Sequence, residues 1–209
     1  MKVKEDESAP NPFVLFTPYP SKGEYKAGDE LVFDITLFGI ACRFEQQVID
    51  ASVLMNQGKL VNTQLIKCEQ IYSHEWSDAG AEYIPHCEVL HIHFLTPAAI
   101  LAEKQAVTQL DFSMFIDRLF WRIGAIIDKY GEDEFVLPYR LVSNKPYVKA
   151  ECDLRKVSFQ TSGQPILAVC GSIRYCGDVT RYLPYIDLGS QLHIGKKTTR
   201  SCGAYCFEF

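Results

Sequence analysis

The order of strand and helix patterns after residue 87 constrains the fold of this chain more than any other feature. Apolar and polar residues alternate in "CEVLHIHFLTP", whereas apolar residues recur at helical spacing in "DFSMFIDRLFWRIGAIIDKY". Two more alternating runs, "VKAECDLRKVSFQ" and "ILAVCGSIRYCG", flank the turn "TSGQP". A short helix around "TRYLPYIDLG" then precedes a last strand in "GAYCFEF". Strand, helix, strand, strand, helix, strand is the order of a ferredoxin-like unit, the fold of the common RNA-recognition module.

The front half repeats part of this order. "NPFVLFTPYP" and "ELVFDITLFG" predict two strands, "CRFEQQVIDASVLMNQGK" predicts a helix that stops at Gly58, and "TQLIKCEQIY" predicts another strand. This order matches a ferredoxin-like unit without its opening strand and helix. We therefore expect an α+β protein of tandem ferredoxin-like domains, the first incomplete. The predicted boundaries are a flexible tail at 1–10, a partial domain at 11–86 and a C-terminal domain at 87–209.

Composition narrows the class of protein without naming an activity. The chain has 209 residues, of which 47% are hydrophobic, and it contains neither a long apolar run nor an N-terminal secretory signal. These features predict a cytoplasmic protein that does not engage a membrane. The 8 cysteines are spread over a chain of ordinary hydrophobicity, which favours buried free thiols over a disulfide scaffold. A net charge of −5 argues against broad, sequence-blind nucleic-acid binding but leaves room for a local basic site.

The stretch "HIGKKTTRSCG" is such a basic site. Two glycines bracket a cluster of cations and hydroxyls that could hold a phosphate through charges, hydroxyls and backbone N–H groups. The residues are Gly195, Lys196, Lys197, Thr198, Thr199, Arg200 and Gly203. On chemistry alone a solvated basic turn explains the same residues, so both interpretations stay open.

Other polar residues suggest weaker hypotheses. His193 adjoins the basic stretch and is the best candidate for a general acid or base, although a lone histidine between apolar neighbours is more often structural. His91 and His93 share a strand face, but their spacing fits no standard zinc pattern, and we expect no metal site. Arg118 and Arg122 lie one turn apart and are expected on a solvated helix face. A looser set of possible ligands comprises Cys68, His74, His86 and Cys87.

Several ordered stretches resemble one family, the CRISPR-associated endoribonucleases that cut repeat RNA into guide RNAs. They are "NPFVLFTP", "GDELVFDITLFGIA", "HFLTPAAI", "GSIRYCGDVTRYLPYIDLG" and "LHIGKKTT" followed by "CGAY". The resemblance implies antiviral defence, tandem ferredoxin-like domains and a nuclease that needs no cofactor. In that chemistry a 2′-hydroxyl of the RNA attacks the adjacent phosphate and leaves a 2′,3′-cyclic phosphate. The resemblance also favours contact with RNA, rather than a solvated turn, as the role of the loop from Gly195 to Gly203.

Two departures from the family pattern carry expectations of their own. The family usually has a longer front segment, which includes its catalytic histidine or a substitute, so this chain is expected to lack that residue. Lys197 and Ser201 stand where the family pattern predicts glycine. A catalytically inactive RNA-binding module, or an α+β interaction protein without an RNA function, is therefore the alternative to an active endoribonuclease. The resemblance implies repeat RNA and other CRISPR effector subunits as partners, and an exposed strand edge leaves homodimer formation open.

Overall fold

A computed structural model describes residues 10–20, 24–54, 67–69, 84–102, 105–131, 139–161 and 164–209. The strands are β1 (Phe13–Phe16), β2 (Asp34–Leu37), β3 (Val89–Phe94), β4 (Leu101–Ala102), β5 (Gln105–Ala106), β6 (Lys149–Thr161), β7 (Gln164–Cys176) and β8 (Tyr205–Glu208). The α-helices are α1 (Glu45–Val53), α2 (Phe112–Tyr130), α3 (Tyr139–Ser143) and α4 (Leu183–Leu192). None of the helices in these ranges is both long and apolar enough to cross a membrane.

The C-terminal half forms one four-stranded antiparallel sheet in the order β6-β7-β3-β8. Along the chain these four strands follow one another as β3, β6, β7 and β8. The second and the fourth of them, β6 and β8, form the edges of the sheet, and the third and the first, β7 and β3, lie between them. With α2 after the first strand and α4 after the third, this is the ferredoxin-like arrangement that the sequence order predicts. Each predicted strand and helix of this half is present in the structure.

The core lies between the sheet and the two long helices. Leu90 and Ile92 of β3 point into it, and Phe115 and Leu119 of α2 meet them there with Ile186 of α4. Because side chains alternate along a strand, His91 and His93 emerge on the opposite face of the sheet. Helices α2 and α4 therefore cover the sheet face that carries Leu90 and Ile92.

Helix α2 begins and ends where the sequence places it. Asp111 caps its first turn, since Oδ1 accepts a hydrogen bond of 2.7 Å from the Met114 N–H. Gly131 follows its last residue, and the Gly131 N–H donates to Ile127 O at 2.9 Å. Among the described helices α1, α2 and α4, this one is the most strongly amphipathic, and it supplies much of the core.

The front half contributes a β1–β2 antiparallel pair followed by α1. The predicted helix at 42–58 starts later in the structure, because a 3-10 helix at Gly39–Phe44 precedes α1. Gly58 and most of the predicted strand at 63–72 lie outside the described residues. Among the described residues, the front half meets the C-terminal half at the end of α2, at the loop between α4 and β8, and where Tyr19 bonds to Cys170 of β7.

Candidate nucleic-acid interface

The predicted phosphate-holding loop, residues 195–203, leaves the end of α4 and returns to β8. Its two ends are joined by the Ile194 N–H, which donates to Gly203 O at 2.9 Å. Each end also bonds to the segment after β3: the Lys196 N–H donates to Ala99 O and the Gly203 N–H to Pro97 O, both at 3.0 Å. The position of the loop is therefore set by the segment 97–99 that follows β3.

Gly203 lies so close to the backbone of Ile194 that no residue with a Cβ fits at this position. Its φ is 78°, in the region that favours glycine, and a Cβ built there would overlap the carbonyl of Ile194. Gly195 has a φ of 85°, and an added Cβ would lie 2.8 Å from Ala99 O. The two glycines that mark the loop in the sequence are thus the residues that let it close.

Two residues inside the loop, Lys197 and Ser201, also have left-handed backbone conformations. Their φ values are 64° and 59°, and they flank the 3-10 helix at Thr198–Arg200. Left-handed backbone disfavours any residue with a Cβ by roughly 1 kcal/mol relative to glycine. This explains why the family pattern predicts glycine at these two positions. In this chain both residues adopt the left-handed conformation although each carries a side chain.

The loop presents its cations to solvent. Lys196, Lys197 and Arg200 are exposed, and Thr199 is half-buried. Thr198 is only 5% exposed and lies inside the loop. The structure therefore leaves the three predicted phosphate-binding cations exposed, but buries one of the two predicted threonines. Contact of these residues with RNA stays a prediction.

Ser201 ties the loop to the front half. Its Oγ accepts hydrogen bonds from the Thr17 N–H at 2.8 Å and from Thr17 Oγ1 at 3.0 Å. The Ser201 hydroxyl also lies 3.3 Å from Thr17 O, to which it donates. Thr17 directly follows β1, so this contact joins residues 184 positions apart.

His193 lies beneath the loop, at the end of α4, and is 5% exposed. Burial and the nearby charge of Arg122 lower the pKa of His193 from 6.5 to about 4, although a hydrogen bond with the Cys202 backbone opposes this shift. Its Nδ1 atom is buried and has no hydrogen-bond partner among the described residues. The ring is therefore neutral at pH 7 and separated from the solvent that RNA would occupy. A catalytic role for His193 stays a prediction.

Arg122 is buried under the same end of α4. Its Nε donates to Leu192 O at 2.6 Å, and its Nη2 has no hydrogen-bond partner in the described part of the chain. The prediction of a solvated position for Arg122 is wrong, because the side chain is only 3% exposed. Burial lowers its pKa to about 10, so the guanidinium still carries its charge at pH 7.

The other described histidines make their contacts outside the loop. The rings of His91 and His93 stack at 6.4 Å on the sheet face opposite the core, and His86 contacts Glu88 at 3.2 Å. Across the described ranges, no three His, Cys, Asp or Glu side chains are arranged to hold a metal ion. His74 lies outside those ranges.

Sequence reasoning missed Thr17 and the burial of Arg122. The second was detectable, since Arg122 follows Leu119 by three residues and precedes Ile126 by four, which places it on the apolar stripe of α2. Nothing local marks Thr17, because its partner is distant in sequence. The glycine pattern did point to Ser201, but not to what its hydroxyl contacts.

Comparisons with known proteins agree with this architecture. A family model described as CRISPR-associated endoribonuclease Cas6 matches residues 92–205, which is more than half of the chain and includes the loop. A second model, described as an N-terminal domain, matches residues 1–88. Among curated proteins, none matches the sequence significantly.

Solved Cas6 structures share the fold of this chain at low sequence identity. One Cas6 product complex is 14% identical with a TM-score of 0.66, covering 97% of this chain and 84% of its own. A second Cas6 product complex is 12% identical with a TM-score of 0.63 and the same 97% and 84% coverage. Thermus thermophilus Cas6 is 14% identical with a TM-score of 0.53, covering 97% and 81%. This likeness confirms the predicted α+β class of tandem ferredoxin-like folds.

Proposed function

This chain belongs to the family of CRISPR-associated endoribonucleases called Cas6, and on that premise we propose that it binds CRISPR repeat RNA and cleaves it. The observation that carries the proposal is the family match over residues 92–205, because it includes the loop whose cations are exposed. Solved relatives described as a product complex and as a substrate mimic complex support the same activity.

The cleavage we propose uses the RNA's own 2′-hydroxyl. That oxygen forms a bond to the adjacent phosphorus while the bond from phosphorus to the 5′-oxygen breaks, giving a 2′,3′-cyclic phosphate and a 5′-hydroxyl end. A base takes the proton of the 2′-hydroxyl and an acid supplies one to the 5′-oxygen. The proposed part of the loop is to place Lys196 and Lys197 against the phosphoryl oxygens, where fixed positive charge stabilises the developing negative charge.

His193 is the proposed acid or base in this chain. A neutral imidazole at pH 7 is able to accept a proton, and the adjacent loop would bring a phosphate near it. Its 5% exposure means that RNA would reach the ring only if the loop moved. This burial favours the second candidate function, an RNA-binding member of the family that does not cleave.

Incubation of the purified chain with labelled repeat RNAs in excess chelator separates these functions. Cleavage that survives chelation and is abolished by a 2′-deoxy substitution at the cut site supports the proposed reaction. Binding without cleavage supports the second candidate, and the absence of both leaves an interaction protein without an RNA function. An unchanged cleavage rate in His193→Asn excludes His193 as an essential acid or base.

The loop cations give a sharper prediction for binding. Replacing Lys196 and Lys197 together by alanine removes two exposed charges and is expected to weaken RNA binding. The logarithmic salt dependence of the affinity should become shallower by about one unit per lysine that contacts phosphate. Lys149→Ala is the matched control, since that lysine is also exposed but pairs with Glu151 at 2.8 Å on β6. Equal effects of the control and the loop variants contradict this role.

Association with other CRISPR proteins belongs to the same proposal. A structure described as a partial Cas6-RT-Cas1–Cas2 complex matches 94% of this chain with a TM-score of 0.61, at 12% identity and over 38% of its own length. We propose that this chain likewise works beside other CRISPR subunits. Formation of a homodimer stays a prediction, which analytical size-exclusion chromatography at high concentration checks directly.

A further inference from the structure

Ser201 combines two features that one residue rarely has. Its backbone has a φ of 59°, where a side chain is disfavoured, and its hydroxyl is bonded entirely to one residue of the front half. The Oγ accepts from the N–H and the hydroxyl of Thr17, and it donates to the Thr17 carbonyl. A glycine here would follow the same path without strain, but it would lose all three bonds.

The Ser201 hydroxyl is consequently not a phosphate ligand. Its donor and its acceptor sites are already used within the protein, although it lies between Arg200 and Gly203 in the loop. What the contact does is hold the loop from the side. The loop also bonds through its ends to residues 97–99, and its 3-10 helix at Thr198–Arg200 lies against β1, next to Thr17.

From these contacts we infer that Ser201 is a positioning residue, which fixes the loop against the front half and thereby raises its affinity for RNA. The inference rests on the proposed function, since it assigns a supporting contact to the RNA-holding loop. The physical reason is preorganisation: a loop that is already ordered loses less conformational freedom when it binds. The cations then meet the phosphates in one arrangement rather than many.

Two substitutions at position 201 distinguish a positioning role in RNA binding from a contribution to folding stability. Ser201→Ala keeps the disfavoured Cβ and removes the hydroxyl, whereas Ser201→Gly removes both. Ser201→Gly should therefore be the more stable of the two in thermal unfolding, yet both should bind labelled repeat RNA about fivefold to tenfold more weakly than the unchanged chain. Ser190→Ala is the matched control, because that serine donates only to Asp187 O within α4. Its affinity for RNA should not change.

A double-mutant cycle tests the partner. Thr17→Val removes the Oγ1 donor but keeps the backbone N–H bond, so it should weaken RNA binding by about twofold to threefold. In the Ser201→Gly background the same change should have no effect, because the acceptor is gone. Additive effects show that the two residues act separately and overturn the inference.

Amide hydrogen exchange of the free protein keeps the inference testable without RNA. The Arg200 N–H bonds to Lys197 O at 2.8 Å, and its exchange should become faster in Ser201→Gly if the contact orders the loop. Unchanged exchange, or RNA binding by Ser201→Gly as tight as that of the unchanged chain, overturns the inference. Failure of the unchanged chain to bind any repeat RNA instead overturns the proposed function, and exchange then still decides whether Ser201 fixes the loop.

Discussion

At the scale of single residues, the two buried titratable groups beneath the loop differ in charge: Arg122 is positive at pH 7 and His193 is neutral. Arg122 keeps its proton and donates to the Leu192 carbonyl at the C-terminal end of α4, where the helix dipole favours a positive charge. A second positive charge beside it is disfavoured, which is part of why the pKa of His193 is lowered. One buried cation and one neutral ring therefore lie under the exposed cations of the loop.

This burial predicts a loss of stability in mild acid. The unfolded chain protonates His193 below about pH 6.5, whereas the folded chain resists protonation until about pH 4, so falling pH favours the unfolded state. The stabilising contribution is complete above pH 6.5 and is lost as the pH falls toward 4. Between pH 7 and pH 5 the free energy of unfolding should fall by about 2 kcal/mol from this residue alone. Urea denaturation at the two pH values measures it.

The matched variant is His193→Asn, because asparagine keeps a polar side chain at this position and does not titrate in this range. Its denaturation should depend less on pH than that of the unchanged chain, while all other ionisable groups stay the same. Identical pH dependence of the two proteins would mean that His193 is accessible to protons in the folded state.

At the scale of elements, the packing of α4 against α2 depends on Gly189. A Cβ added there would overlap the Leu119 side chain of α2 and lie 2.5 Å from the Tyr205 hydroxyl. That hydroxyl donates to Ile186 O at 2.7 Å, which joins β8 to the same helix. A helix interior normally disfavours glycine, so its presence here reflects the close approach of three elements.

Gly189→Ala should therefore destabilise the protein, although replacing a helical glycine by alanine usually stabilises a helix. In an open helix the change stabilises by up to about 1 kcal/mol, whereas here overpacking should destabilise the protein by roughly 1–3 kcal/mol. Thermal or urea unfolding gives the sign directly. Gln191→Ala, at an exposed position of α4, is the control and should change stability by less than about 0.5 kcal/mol. A stabilising Gly189→Ala would show that the two helices separate readily.

At the scale of the whole molecule, the loop and the end of α2 are two of the places where the described parts of the two halves meet. The first contact is the Thr17–Ser201 pair, and the second brings Gly39 against the backbone of Tyr130. Gly39 has a φ of 54°, and a Cβ there would overlap the Tyr130 carbonyl. Both contacts help to fix the position of the front half relative to the candidate interface.

Gly39→Ala tests how strongly this second contact holds the halves together. It combines left-handed strain with a clash against α2, so the free energy of unfolding should fall by about 2–4 kcal/mol. Gly28→Ala is the matched control: its φ is 92°, but nothing lies within 4 Å of an added Cβ, so only strain of about 1–2 kcal/mol is expected. Equal losses in urea denaturation would show that the contact with α2 adds nothing.

Much of the C-terminal fold follows from local sequence patterns. Alternation predicts β3, β6, β7 and β8, and helical spacing predicts α2, because each pattern reports which face of one element is buried. The short β4–β5 pair and α3 were not predicted, since they are too short to show a period. Within the site, the glycines and exposed lysines of the loop were recognisable from sequence, and the burial of Thr198 was not.

The order and type of the elements and the chemistry of the loop therefore follow from local sequence patterns. Only the tertiary structure places Arg122 against Leu192 O and beside His193, and Ser201 against Thr17. The physical reason is distance along the chain. Periodicity reports burial within one element, whereas Arg122 meets Leu192 across 70 positions and Ser201 meets Thr17 across 184. Such contacts form only when separate elements pack, and no local pattern encodes them.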